Sequence, residues 1–141
     1  MSPIEERNSR IGSWAKKLAG RLESEVAGDS GERMLWLVRH LEQYLERWLG
    51  FARCGQVTIA ASLDNETFFV VLAAVQVIEN TLDQAGSTRP FPQEEWEGFC
   101  AALSRVHQTP NRPTVAQVSE AFEGFYRKLT DGEIGGELPR S

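Results

Sequence analysis

Apolar side chains recur at helical spacing through most of the chain. Ile4, Ile11, Trp14, Ala15, Leu18, Leu22 and Val26 share one face, and Ala27 to Gly31 ends that pattern. Ser2-Pro3-Ile4-Glu5 supplies a Ser N-cap, a Pro at the first helical position and an acid three residues after the cap, so a first helix is predicted from the terminus. Asp29-Ser30-Gly31-Glu32 repeats the capping pattern. From there Met34, Leu37, Val38, Leu41, Tyr44, Leu45 and Trp48 predict a second helix closing between Gly50 and Gly55. Val57, Ile59 and Ala61 alternate within Gln56 to Ala61, but one strand alone builds no sheet, so this stretch reads as a connector or an early helical turn.

A third helix is predicted over 63–83. It is apolar nearly all round through Phe68, Phe69, Val70, Val71, Leu72, Val75, Val77, Ile78 and Leu82, the composition of a helix at the centre of a bundle. Pro92 followed by Gln93-Glu94-Glu95 opens a fourth, with Trp96, Phe99, Cys100, Leu103, Val106 and His107 on one face until the Thr109 to Pro113 break. Thr114-Val115-Ala116-Gln117 is a third capping box. Val115, Val118, Phe122, Phe125, Tyr126 and Leu129 line the fifth helix behind it. The expected fold is therefore all-α: a single-domain bundle of about five helices over residues 1–130, with an apolar central third helix and a flexible C-terminal tail over 131–141.

Length and composition agree with that picture. The 141 residues are one domain's worth of chain, and 41% hydrophobic with 25% charged residues is ordinary globular usage. Fifteen Lys and Arg against 20 Asp and Glu leave a net charge of -5, which argues against a basic nucleic-acid coat or a polybasic membrane binder. Two cysteines, Cys54 and Cys100, are too few for a disulfide scaffold. The opening Met1-Ser2-Pro3-Ile4-Glu5-Glu6 is unlike a secretory signal, and the densest apolar run, 68–78, is too short to span a bilayer. A cytoplasmic protein with no membrane contact is expected.

Chemistry-bearing patterns are few. Carboxylate-bridged di-iron bundles need a Glu three residues before a His, but Leu37 and Ser104 occupy those positions before His40 and His107. The Cys and His residues lack zinc-site spacing, and no glycine-rich phosphate loop occurs. Cys100 and His107 lie two turns apart, about 10 Å, beyond hydrogen-bond reach for a nucleophile and its base. Cys100 reads better as a small buried hydrophobe, His107 as a helix-end cation, and Gln76 and Asn80 as a thin solvent strip on the third helix. Neither an enzyme nor a cofactor is expected.

Surfaces say more. Leu35 and Trp36 point off the inward stripe of the second helix, and Leu49 and Phe51 crowd its end. These four are the expected partner interface, Trp36 foremost, because exposed Trp is enriched where proteins meet. Arg10, Lys17 and Arg21 lie within about 40° of one another beside Trp14, a short basic stripe suited to a nucleic-acid backbone or an acidic partner helix. The stretch 54–88 carries Asp64, Glu66, Glu79 and Asp83 with no Lys or Arg. The expected role is thus a non-catalytic helical interaction protein: a small subunit, adaptor or assembly factor that binds a protein partner or a second copy of itself. The alternative is a nucleic-acid-associated or regulatory protein using the basic stripe or a helix-turn-helix-like C-terminal region that begins with Pro113 to Phe122.

Overall fold

A computed structural model describes residues 2–26, 30–53, 66–85, 91–106 and 112–137. Five helices occupy nearly all of them: α1 (Pro3–Glu25), α2 (Ser30–Arg53), α3 (Glu66–Ala85), α4 (Gln93–Arg105) and α5 (Val115–Glu137). The all-α bundle is the fold. The chain expected as one bundle over 1–130 gathers its contacts into two compact units, Met1–Gly86 and Ser87–Ser141. The proposed cap at Asp29, the connector or helical turn at 56–61, Cys54 and His107 lie outside the described residues.

In the first unit α1 starts where the sequence places it. The Ser2 hydroxyl accepts from the Glu5 backbone N–H at 3.1 Å, and Pro3 takes the first helical position, where its missing N–H costs nothing. α1 and α2 run antiparallel, and α3 runs parallel to α1. Contacts concentrate on α3, which packs against both neighbours, while α1 and α2 touch each other little. Ala73 and Ala74, both fully buried, let the flanking helices approach α3 closely. Leu18 and Leu22 from α1, Leu37, Val38, Leu41, Leu45 and Trp48 from α2, and Phe68, Val71 and Ile78 from α3 fill the core. Trp48 and Phe68 pack with ring centroids 4.7 Å apart. The expected apolar central helix is therefore this unit's middle element, and Gln76, Glu79, Asn80 and Asp83 form its exposed strip.

The second unit is an antiparallel pair, α4 on α5, zipped by aromatic rings. Trp96 meets Phe125 at 4.9 Å, Phe99 meets Phe122 at 5.3 Å, and Phe91 from the preceding link closes on Phe125 at 5.4 Å. Entry to α4 has no side-chain cap. Gln93 N–H instead donates to the Phe91 carbonyl at 2.7 Å around Pro92, whose φ of -75° and ψ of 76° are those of an inverse γ-turn. Entry to α5 is a complete capping box: Gln117 N–H donates to the Thr114 hydroxyl at 3.1 Å, and Thr114 N–H to the Gln117 side-chain oxygen at 2.9 Å. α5 then continues past Leu129 to Glu137. Its glycines each disfavour a helix by about 1 kcal/mol, but only proline breaks the backbone hydrogen-bond ladder outright, and none occurs before Pro139.

Candidate functional site

Two groups of residues that the sequence treats separately, the basic stripe on α1 and Trp36 on α2, meet along one seam. Arg21 is the junction. Its guanidinium sits over the Trp36 ring at 5.6 Å, donates to Glu25 at 3.0 Å one turn along α1, and lies 3.4 Å from His40 Nε2. The Glu25 hydrogen bond, with further contributions from Glu25 and Tyr44, raises the Arg21 pKa above its ordinary value, so the group is a permanent cation. The His40 ring stacks on Trp36 with centroids 3.9 Å apart and meets Tyr44 edge-on at 6.1 Å. Its Nδ1 lies 2.9 Å from the Trp36 carbonyl, which can only accept, so Nδ1 carries the proton. The opposite nitrogen, Nε2, then faces the Arg21 guanidinium as an acceptor.

Spacing along α2 produces this ladder. Trp36, His40, Tyr44 and Arg47 fall within about 80° of one another around the helix, on the flank turned toward α1. On α1 the facing positions are Arg10, Trp14, Lys17 and Arg21, at matching three- and four-residue intervals. Near the hairpin end, Arg33 also pairs with Glu23 across the two helices. At the other end, Glu66 in the first turn of α3 takes both Arg10 and the Trp14 indole N–H, the latter at 2.6 Å. Lys17 rests over the Trp14 ring at 4.8 Å.

Between these ends the two helices part, and α3 is visible beneath them. The opening is a shallow cleft of about 40 Å³, walled by Trp14, Lys17, Arg21 and Tyr44 over an apolar floor of Leu18, Val70 and Ala73. That volume accepts a water or the end of one small side chain, far below the hundreds of Å³ of a metabolite pocket.

The other expected interface residues separate from Trp36. Leu49 is only 2% exposed and belongs to the core, which corrects its assignment to a partner surface. It stands one and two turns beyond Leu45 and Leu41, in the same apolar row, and that spacing could have placed it. Leu35 is half-buried, about 100° round the helix from Trp36, on the flank away from α1, so the two do not form one patch. Phe51 lies in α2, but its side chain is outside the described residues. The basic stripe is also less free than its sequence suggests: Arg10 and Arg21 have carboxylate partners, and Lys17 has none among the described residues.

In the second unit, α5 is continuous over 23 residues, whereas a helix-turn-helix beginning at Pro113 requires a turn after about eight. Val115 to Phe122 therefore does not form that motif. Cys100 is half-buried. Among the described residues no three His, Cys, Asp or Glu side chains gather as metal ligands, and no helix is long and apolar enough to cross a membrane. In comparisons with known proteins, the chain matches no family model, no curated protein and no solved structure.

Proposed function

We propose that this protein is a non-catalytic helical interaction module, a small subunit or adaptor of a larger complex, and that it contacts its protein partner through the α1–α2 seam. The observation that carries the reading is the gathering of Trp14, Trp36 and Tyr44, all half-buried, with Lys17 and Arg21, while helical spacing puts exposed Arg47 on the same face of α2 as Tyr44. Aromatic and Arg side chains are the residue types that dominate binding energy at protein interfaces. Here they are pre-positioned on two helices by Arg21 and Glu66, so little ordering entropy remains to be lost on binding. Low cysteine usage supports a reducing, cytoplasmic setting.

Nucleic acid is the less favoured partner on two grounds. Stacking a base needs an open ring face, but Trp36 is covered by His40 on one side and approached by Arg21, and Trp14 carries Lys17. Phosphate backbones are followed by a run of uncommitted cations, and of the α1 stripe only Lys17 lacks a carboxylate among the described residues, Arg10 and Arg21 being matched by Glu66 and Glu25.

The test is a tagged pull-down with and without nuclease, repeated on a Lys17→Glu/Tyr44→Ala variant whose fold is checked by circular dichroism. A nuclease-resistant protein partner that is lost in the variant is the expected result. Recovery of nucleic acid, or a partner retained at wild-type level by the variant, refutes the reading.

A further inference from the structure

The seam also specifies the chemistry of what it binds. We infer that its occupant is an acidic amphipathic helix of a partner protein, about three turns long, that sets carboxylates against Lys17 and Arg47 and inserts one small aliphatic side chain into the Trp14–Tyr44 cleft. This inference rests on the seam being the partner surface proposed above.

Charge provides the first argument. Three of the seam's cations are matched internally, Arg10 by Glu66, Arg21 by Glu25 and Arg33 by Glu23. Lys17 on α1 and Arg47 on α2 have no carboxylate partner among the described residues, and both are exposed. They leave two uncompensated positive charges on a seam of a chain whose overall charge is -5. Local charge of opposite sign to the whole selects an acidic partner at close range, while the net charge repels that partner elsewhere on the surface.

Shape provides the second. Arg10 to Arg21 and Trp36 to Arg47 each span eleven residues of helix, about 17 Å, which matches three turns of a third helix laid along the seam. The floor of Leu18, Val70 and Ala73 is apolar and the opening holds about 40 Å³, so the inserted group is an Ala or Val methyl rather than a ring or a charged head. Lys17 over Trp14 occupies the rim. Its flexible stem lets the ammonium swing from the ring to an incoming carboxylate while the methylenes stay on the indole.

Nuclear magnetic resonance of the isotopically labelled full chain tests this directly, with three probes titrated separately: a helical peptide of Glu, Ala and Val with acids on one face, the same peptide with Lys for Glu, and single-stranded oligothymidylate. The Glu peptide is expected to shift the Trp14 and Trp36 indole signals and the Val70 and Ala73 amides. Its affinity should fall about tenfold or more in Lys17→Glu/Arg47→Glu and weaken as salt rises. The inference is overturned if the Lys peptide or the oligothymidylate binds as well, if the shifts map away from the seam, or if the Glu peptide does not bind. Each of those results leaves the seam-dependent pull-down standing. Loss of the pull-down's seam dependence would instead remove the parent reading, whatever the peptides do.

Discussion

Replacing Glu66 by Ala should loosen α1 from α3 and disturb the seam at its open end. One carboxylate holds two partners on α1, the Arg10 guanidinium and the Trp14 indole N–H, the latter at 2.6 Å. It also sits in the first turn of α3, where an acid gains about 0.3–1 kcal/mol from the helix dipole. The Arg10 and Glu66 side chains are 52% and 45% exposed, so the ion pair is worth about 0.2–1 kcal/mol and is screened by salt. A hydrogen bond to a charged acceptor contributes about 1.5–3 kcal/mol where water is excluded; Trp14 is half-buried, so its freed N–H recovers part of this from solvent. These contributions share one carboxylate and do not add fully. The expected loss for Glu66→Ala is about 1.5–2.5 kcal/mol. Glu66→Gln keeps an acceptor for the indole and should lose roughly half as much, with its deficit shrinking near 1 M salt, where the Debye length is about 3 Å. Urea unfolding followed by circular dichroism gives the energies, and the Trp14 indole proton resonance reports the hydrogen bond itself. A Glu66→Ala loss within the about 0.5 kcal/mol scatter of ordinary surface substitutions, or an unchanged indole resonance, would refute this role for Glu66.

Leu49→Ala should cost about 2–5 kcal/mol in urea unfolding and leave partner capture by the folded fraction intact, because Leu49 is core; a lost partner without lost stability would return it to the surface. Thr114→Ala should remove about 1 kcal/mol through the α5 cap, and Gln117→Ala should add less on that background than alone, since the two groups bond each other. The Lys128 ammonium, 2.6 Å from Glu95, holds that carboxyl below its ordinary value and is itself held above the usual Lys value. The Glu95 contribution is therefore complete above the ordinary Glu titration near pH about 4.3 and is lost as pH falls through the lower folded value; the Lys128 contribution is lost only above pH about 10.4. Thermal melts of Glu95→Gln should fall below wild type at neutral pH and converge with it in acid, whereas a constant gap would contradict the pairing.

Local signals in the sequence carry most of the fold. Ser2 and the Thr114/Gln117 box mark their helix starts because a cap involves only residues three apart, and the repeat of apolar residues selects the buried faces of α1, α2, α4 and α5. The seam is much less legible. Arg21 and Trp36 are fifteen residues apart, and Arg10 and Glu66 are fifty-six apart. Helical spacing says which way each side chain leaves its own helix, but not which neighbour it meets. That step depends on α3 lying between α1 and α2, which brings Glu66 up to the basic stripe and turns Trp36 under Arg21. The misplacing of Leu49 has a different origin: a stripe drawn narrowly through Met34 and Trp48 omits the Leu41–Leu45–Leu49 row that a helix packed on a broad apolar neighbour also buries.

On the proposed function, the α1–α2 seam is the surface on which this protein meets its partner. Site-specific photo-crosslinking in cells tests it most directly, with the reactive residue placed in turn at Lys17, Tyr44 and Arg47 and, as controls, at exposed Glu97 and Glu120 on α4 and α5. One saturable protein adduct is expected at the three seam positions and none above background at the controls. Adducts at Glu97 or Glu120 with none at Lys17, Tyr44 and Arg47 would contradict it.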